Sequence, residues 1–487
     1  MTSEIGDAPL SSAGRAKTFL IYGCMVAAAA LVFLVIRSAG DGLAAPAPAG
    51  APLSAAAGQS INTLFHALLA LAVIIVTARV AGELFGFIGQ PAVIGEVIGG
   101  IMLGPSLLGR VAPDTYAQLL PASVTPFLGT YAQLGVILYL FLVGLELDLS
   151  GVIKKSGHTT LAISHASILV PFLLGSGLAL GLYPVLSTSD VPFTVFALFL
   201  GVSMSVTAFP VLARILTDQQ MNRTRMGALA LTCAAIDDVT AWCLLALVVS
   251  IAQARGLDAL RTVVLTVAFV FIVLLIVAPI VRRLIPRIDR SEDLTRTGLS
   301  IVLIAMLASA MTTEYIGIHG FFGAFLFGAV IPHRSRIARE LNRRLHDFVA
   351  VLFLPVFFAY TGMRTEIGLV SGLGNWLLCA VIILVACLGK FGGTLVASRL
   401  SGLKWRDSAA LGILMNTRGL VELIVLSMGL DLGITSPKLF TMLVLMALVT
   451  TFMTTPVLQV LLRKHPWAEP VPSPALDAFP MQEVEGA

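Results

Sequence analysis

Asp237 and Asp238 are adjacent carboxylates in the middle of an apolar run from Met226 to Ile251. A run of that length can cross a bilayer, which takes about 20 residues. A carboxylate at mid-membrane costs about 2.5–3.5 kcal/mol even on the lenient insertion scale. Two in succession therefore read as a site for ions or protons rather than as filler. Neighbouring helix positions are about 100° apart, so the two side chains face different targets. Lys390, in Cys387-Leu388-Gly389-Lys390-Phe391-Gly392-Gly393, is a third charge deep in an apolar segment. A buried ammonium needs a carboxylate partner or loses its proton. The expected pairing is Lys390 with Asp237, which leaves Asp238 for the transported ion. Gly389, Gly392 and Gly393 would let a second helix approach closely.

Two further stretches are polar at membrane depth. Gly201 to Pro210 contains Ser205, Thr207 and the helix-breaking Pro210, and Met415 to Glu422 contains Asn416, Arg418 and Gly419. Interrupted helices are tolerated in a membrane only where they are buried in protein or line a cavity. Arg418 and Glu422 are four apart on one helical face and are expected to pair, holding the broken helix together. Asp238, the hydroxyls of Ser205 and Thr207, and carbonyls freed near Pro210 supply oxygens for a small alkali cation. A desolvated carboxylate favours its neutral, protonated form, so cation and proton compete for one site. Binding a cation would also break the Lys390–Asp237 pair and release a second proton, making exchange electrogenic.

The elements that must position these residues follow from composition. Of 487 residues, 57% are hydrophobic and 12% charged, against about 25% charged in soluble proteins. The chain is all-α and polytopic. A net charge of +4, spread over short loops, gives no patch for nucleic acid. The five cysteines all lie in apolar stretches, without metal-ligand or disulfide spacing. Residues 1–60 hold an apolar helix, Thr18–Arg37, that is retained or signal-like, and a flexible Ala/Pro/Gly linker. Thirteen apolar segments follow, at 61–79, 92–108, 127–147, 158–182, 193–216, 226–251, 260–281, 297–312, 316–331, 348–362, 375–397, 407–428 and 440–462. Residues 463–487 read as a disordered tail. Glu314 and Asp431, near segment ends, read as solvated.

With the N-terminus in the cytoplasm, 23 of the 31 Lys and Arg residues fall on the inner side and six on the outer. The remaining two are Lys390 and Arg418. That asymmetry supports a multi-pass protein of the plasma or inner membrane with both termini cytoplasmic. Counting Thr18–Arg37, the two interrupted segments are the sixth and thirteenth, so they run in opposite directions. Paired interrupted helices in inverted halves point to the midplane site of a secondary transporter.

At these residues the chain resembles the second cation-proton-antiporter family of NapA-type, Kef-type and plant CHX-type exchangers. The matching motifs are Gly89-Gln90-Pro91 through Gly104-Pro105-Ser106, Thr207-Ala208-Phe209-Pro210, Asp237-Asp238, Gly320-Phe321-Phe322-Gly323-Ala324-Phe325, and Asn416-Thr417-Arg418-Gly419-Leu420-Val421-Glu422-Leu423. The resemblance implies an NhaA/NapA-like inverted-repeat fold with two crossing discontinuous helices, and thirteen core helices behind one extra. It also implies a homodimer, an elevator motion and a part in pH homeostasis. A transport domain would comprise 158–251 and 375–462. A dimerisation domain would comprise 61–147 and 297–362, with 260–281 as linker. It matches Asp238 to the ion-binding aspartate and Asp237 to the one paired with lysine, here Lys390. Kef-type members carry Gln-Asp and a cytoplasmic nucleotide-binding domain; this sequence has Asp-Asp and a short tail. The acidic pair resembles electrogenic sodium antiporters and the text around Asn416 the potassium-linked plant group, so Na⁺ and K⁺ both stay open. No cofactor is implied.

A sodium-coupled solute carrier on a related fold is the competing reading, but it would need a larger polar cavity than these segments offer. An intramembrane aspartyl protease needs two carboxylates facing each other across one water. Adjacent aspartates on one helix do not meet that requirement, and an enzyme is not expected.

Overall fold

The structure is a computed structural model that describes residues 53–146, 158–188, 191–219, 221, 224–253, 257–289, 296–333 and 335–462. The Thr18–Arg37 helix and the 463–487 tail lie outside the described residues. The chain divides into Met1–Asn62 and Thr63–Ala487, and every side-chain contact discussed below lies in the second unit.

The described residues are almost entirely helical. In order, the helices are α1 (Leu53–Phe87), α2 (Ala92–Leu103), α3 (Thr125–Glu146), α4 (His158–Leu186), α5 (Phe193–Ser205), α6 (Phe209–Asp218) and α7 (Arg225–Gln253). They continue with α8 (Leu257–Ile272), α9 (Ala278–Asp289), α10 (Arg296–Ile316), α11 (Gly320–Val330), α12 (Arg336–Phe348) and α13 (Leu354–Met363). The last five are α14 (Leu373–Cys387), α15 (Gly393–Leu400), α16 (Trp405–Met415), α17 (Leu420–Asp431) and α18 (Pro437–Leu462). Single short helices at Leu108–Val111 and Pro113–Leu119 fill the α2–α3 connection. Π-helical turns join α8 to α9, α12 to α13 and α14 to α15.

Eleven helices among the described residues are long and apolar enough to cross a membrane, and twelve when α16 and α17 count as one bent span. Large apolar side chains such as Leu275, Ile280 and Val264 point outward, as a lipid-facing surface requires. The expected segment 316–331 is shorter than a full span. Gly317 turns the chain with a positive φ, and α11 has 11 residues where about 20 are needed. It packs against α3 at backbone contact distance, with Gly144 opposite the Phe325 carbonyl and Gly328 opposite the Phe141 carbonyl.

The two interrupted helices meet as their sequences suggest. Between α5 and α6 the backbone is extended at Val206 and Ala208. Pro210 opens α6 in its first turn, where its missing N–H costs nothing. Between α16 and α17, Asn416 to Gly419 leave the helix and the two halves bend by 44°. The extended stretches touch through their backbones: Ala208 N–H donates to the Thr417 carbonyl at 3.0 Å. Close approach here requires a glycine, since a Cβ on Gly419 would sit 2.6 Å from Val211 Cγ2.

Glycine also sets the approach of α4 to the α14–α15 segment, although not at all three expected positions. A Cβ on Gly389 would meet Pro171 Cα at 2.8 Å, and one on Gly393 would meet Val170 Cβ at 2.8 Å. Gly392 has nothing within 4 Å; a π-helical turn changes the angle between successive side chains, so it faces away. Gly389→Ala is therefore expected to destabilise the protein by about 1–3 kcal/mol. Gly392→Ala should stay within about 0.5 kcal/mol of wild type. Thermal unfolding of the detergent-solubilised protein distinguishes the two.

Candidate ion-binding site

The site begins where α5 stops. A helix C-terminus leaves carbonyls without helical partners and carries the negative end of the helix dipole. Three such carbonyls, at Ser203, Met204 and Ser205, end inside the protein and are met by two cations. Arg418 Nη1 donates to Ser203 O at 2.8 Å and Nη2 to Met204 O at 2.6 Å. Lys390 Nζ donates to Ser205 O at 2.5 Å. Both cationic side chains are fully buried.

Each cation also meets a carboxylate. Arg418 Nη1 lies 3.0 Å from Glu422 Oε2, four residues on, as the spacing predicts. Thr451 fixes the Arg418 backbone, accepting from its N–H at 3.0 Å and donating to its carbonyl at 2.7 Å. Lys390 Nζ lies 3.0 Å from Asp237 Oδ2, the pairing expected from the sequence. Lys390 sits in the π-helical turn Leu388–Gly392, a deviation often found at functional sites.

The two aspartates have different surroundings. Asp237 is fully buried and densely bonded. Its Oδ1 accepts from Ser164 Oγ at 2.5 Å. Its Oδ2 accepts from Ser167 Oγ at 2.5 Å, Thr207 Oγ1 at 3.0 Å and Lys390 Nζ at 3.0 Å. Asp238 is 3% exposed and its Oδ1 has no hydrogen-bond partner among the described residues. The Phe209 N–H, at the N-terminus of α6, bonds its carboxyl group. A helix N-terminus favours negative charge, so Asp238 has a place to be anionic and an oxygen left open.

Ser205 and Thr207, the expected cation ligands, donate their hydroxyl protons within the protein. The Ser205 hydroxyl donates to Gly201 O at 2.7 Å and lies 3.1 Å from Ile168 O. A serine at the end of a helix readily bonds back to the carbonyl one turn before it. The Thr207 hydroxyl serves Asp237 and lies 3.2 Å from Met415 O. Asn416 closes α16; its Nδ2 reaches Cys387 Sγ at 3.8 Å and its Oδ1 is unpartnered. Asp431, read as solvated, pairs with Arg364 at 2.6 Å. Ser164 and Ser167 escaped the sequence reading. Their signal was an i, i+3 pair of hydroxyls in the apolar span of α4.

A buried acidic pair with a lysine counter-ion, at the meeting point of two interrupted helices, is the layout of an ion-coupled secondary transporter. The family model for the transmembrane sodium/hydrogen exchanger matches residues 69–464, and the chain belongs to that family. Its relatives fit the second cation-proton-antiporter group. A "Na(+)/H(+) antiporter NhaS4" from Synechocystis is 41% identical over 397 residues, covering 81% of this chain and 97% of the relative. "Cation/H(+) antiporter 17" from Arabidopsis thaliana is 40% identical, covering 82% of this chain and 49% of the plant protein. "K(+)/H(+) antiporter 1" from Saccharomyces cerevisiae is 37% identical, covering 77% and 44%. The chain thus spans about half the length of the plant and yeast relatives. The solved sodium proton antiporter MjNhaP1 from Methanocaldococcus jannaschii has a TM-score of 0.62 at 14% identity, covering 84% of this chain and all of that one. That likeness concerns the fold.

Removing one member of a buried ion pair costs about 3–5 kcal/mol, because the other charge is stranded. Arg418→Met should lose about that much, stranding Glu422 and uncovering two carbonyls. Adding Glu422→Leu should recover part of the loss. Denaturant or thermal unfolding in detergent, with both single variants and the double, measures this coupling.

Proposed function

We propose that this protein exchanges a monovalent cation, Na⁺ or K⁺, for protons across the membrane, with Asp238 as the binding carboxylate. The observation that carries the reading is the contrast between the neighbouring aspartates. Asp237 is neutralised by Lys390 and saturated with donors. Asp238 has a buried oxygen with none. An anionic carboxylate left bare in such surroundings is costly. It takes a proton or a cation according to supply, and the two exclude each other. The names of the relatives, which include both a sodium and a potassium exchanger, support the exchange and leave both ions open.

Lys390 supplies the second proton. Binding the cation breaks the Lys390–Asp237 pair, and an ammonium left without its carboxylate in an apolar interior gives up its proton. One cation then enters as two protons leave, and exchange is electrogenic. Alternating access is by an elevator motion, in which segments 158–251 and 375–462 carry the site past a scaffold of 61–147 and 297–362, with 260–281 as linker. All the charged groups of the site, and both interrupted helices, fall in the proposed moving part. The scaffold forms a homodimer, and both termini are cytoplasmic in a plasma or inner membrane.

The test is cation-dependent collapse of a preset proton gradient in proteoliposomes, with Na⁺ and K⁺ added separately. The wild type is expected to respond to at least one ion, and Asp238→Asn to neither. An unchanged response in Asp238→Asn, or none in the folded wild type, contradicts the reading.

A further inference from the structure

Where α16 breaks off, two neighbouring side-chain oxygens are buried and unused. Thr417 Oγ1 and Asn416 Oδ1 have no hydrogen-bond partner among the described residues. Thr417 is fully buried and Asn416 is 1% exposed. Burying a polar atom without a partner is costly, so an adjacent pair calls for a reason. The backbone supplies part of it. A threonine hydroxyl in a helix usually bonds to a carbonyl one turn back, as Thr240 does with Ile236 O at 2.8 Å. Thr417 lies just past the end of α16. There the Ile413 and Leu414 carbonyls receive the N–H groups of Asn416 and Thr417, at 3.3 and 3.2 Å. Asn416 turns its Nδ2 to Cys387 Sγ at 3.8 Å, which leaves the oxygen of the same amide to face elsewhere.

A short chain of contacts links these oxygens to Asp238. The Phe209 N–H bonds the Asp238 carboxyl group. The N–H of the preceding residue, Ala208, donates to the Thr417 carbonyl at 3.0 Å. Asp238 and Thr417 therefore meet consecutive residues of the same extended stretch, and Asp238 Oδ1 is itself unpartnered. A carboxylate oxygen, a hydroxyl and an amide oxygen together form the donor set that a hard cation takes when it sheds water. The end of α16 adds to this, because a helix C-terminus carries the negative end of the dipole.

Resting on the exchange reading above, we propose that Thr417 Oγ1 and Asn416 Oδ1 bind the transported monovalent cation together with Asp238. The carboxylate supplies charge, and the two neutral oxygens replace water that the ion leaves behind. Two other atoms of the same stretch lack partners among the described residues, Arg418 Nε and Glu422 Oε1, and neither is equivalent. Arg418 Nε is a donor on a cation and repels the ion. Glu422 Oε1 belongs to a carboxylate whose charge Arg418 already balances at 3.0 Å.

The test is the concentration dependence of exchange in proteoliposomes, with Na⁺ and with K⁺, for wild type, Thr417→Val, Thr417→Ser and Asn416→Leu. Thermal unfolding of each in detergent accompanies it. Valine keeps the shape of threonine and removes the oxygen. Thr417→Val is expected to raise the apparent KM for the transported cation about tenfold. That change should exceed any change in maximal rate, the mark of lost ground-state binding. Its unfolding temperature should not fall, because an unpartnered hydroxyl gives the fold no bond to lose. Thr417→Ser, which keeps a hydroxyl, should bring the KM back toward wild type, and Asn416→Leu should raise it as Thr417→Val does. An unchanged KM in Thr417→Val and Asn416→Leu overturns the proposal. So does a lower maximal rate or unfolding temperature with the KM unmoved, which is what a packing role gives. If Thr417→Val does not fold, Thr417→Ala takes its place, and an unchanged KM there overturns the proposal. A wild type without cation-driven proton flux would instead sink the exchange reading; an active wild type with unshifted variants sinks this inference alone.

Discussion

The structure depends on the unpaired end of α5. Its last carbonyls, at Ser203, Met204 and Ser205, belong to buried residues inside the protein and have no helical partners. Arg418 and Lys390 cover all three. Two cations in an apolar interior then need anions, and Glu422 and Asp237 provide them. One broken helix thus accounts for four of the five buried charges grouped at the crossing. Asp238 is the fifth, and it has no counter-charge of its own. The bond between Lys390 and the Ser205 carbonyl ties the chemistry of the site to the integrity of the crossing.

Magnitudes explain why the arrangement tolerates so much charge. Each charged residue at mid-membrane costs about 2.5–3.5 kcal/mol on insertion scales. Hydrogen bonds to charged groups return about 1.5–3 kcal/mol each, and Asp237 alone accepts four. The paired charges are therefore compensated, whereas Asp238 has no counter-charge of its own and a carboxyl oxygen without a partner among the described residues. The adjacency of the two aspartates matters for the same reason. Successive helix positions point about 100° apart, so one faces the hydroxyls of α4 and Lys390, and the other faces the N-terminus of α6.

Much of this was legible in the sequence because charge in an apolar run is costly and therefore meaningful. Asp237, Asp238, Lys390, Arg418 and Glu422 could be picked out one by one, and both ion pairs follow from burial and spacing. The interruptions were visible in Pro210 and Gly419 for a similar reason. Hydroxyls were not legible. A Ser or Thr in a helix can satisfy itself on a carbonyl one turn back, as Thr240 and Ser250 do here, so its presence signals little. The bonds of Ser164 and Ser167 to Asp237 accordingly emerge only from the structure. Gly392 was misread because a π-helical turn cannot be seen in a string of small residues. The short reach of α11 was hidden by the continuous apolar text of 316–331.

We propose that each cation displaces two protons, one from Asp238 and one from Lys390. The most direct measurement is the reversal point of exchange in proteoliposomes of fixed membrane potential, found by varying the cation gradient against a set proton gradient until net flux vanishes. With the potential clamped at zero, balance is expected when the cation ratio equals the square of the proton ratio. Balance at equal ratios would mean one proton per cation, and would contradict a role for Lys390 as a proton carrier.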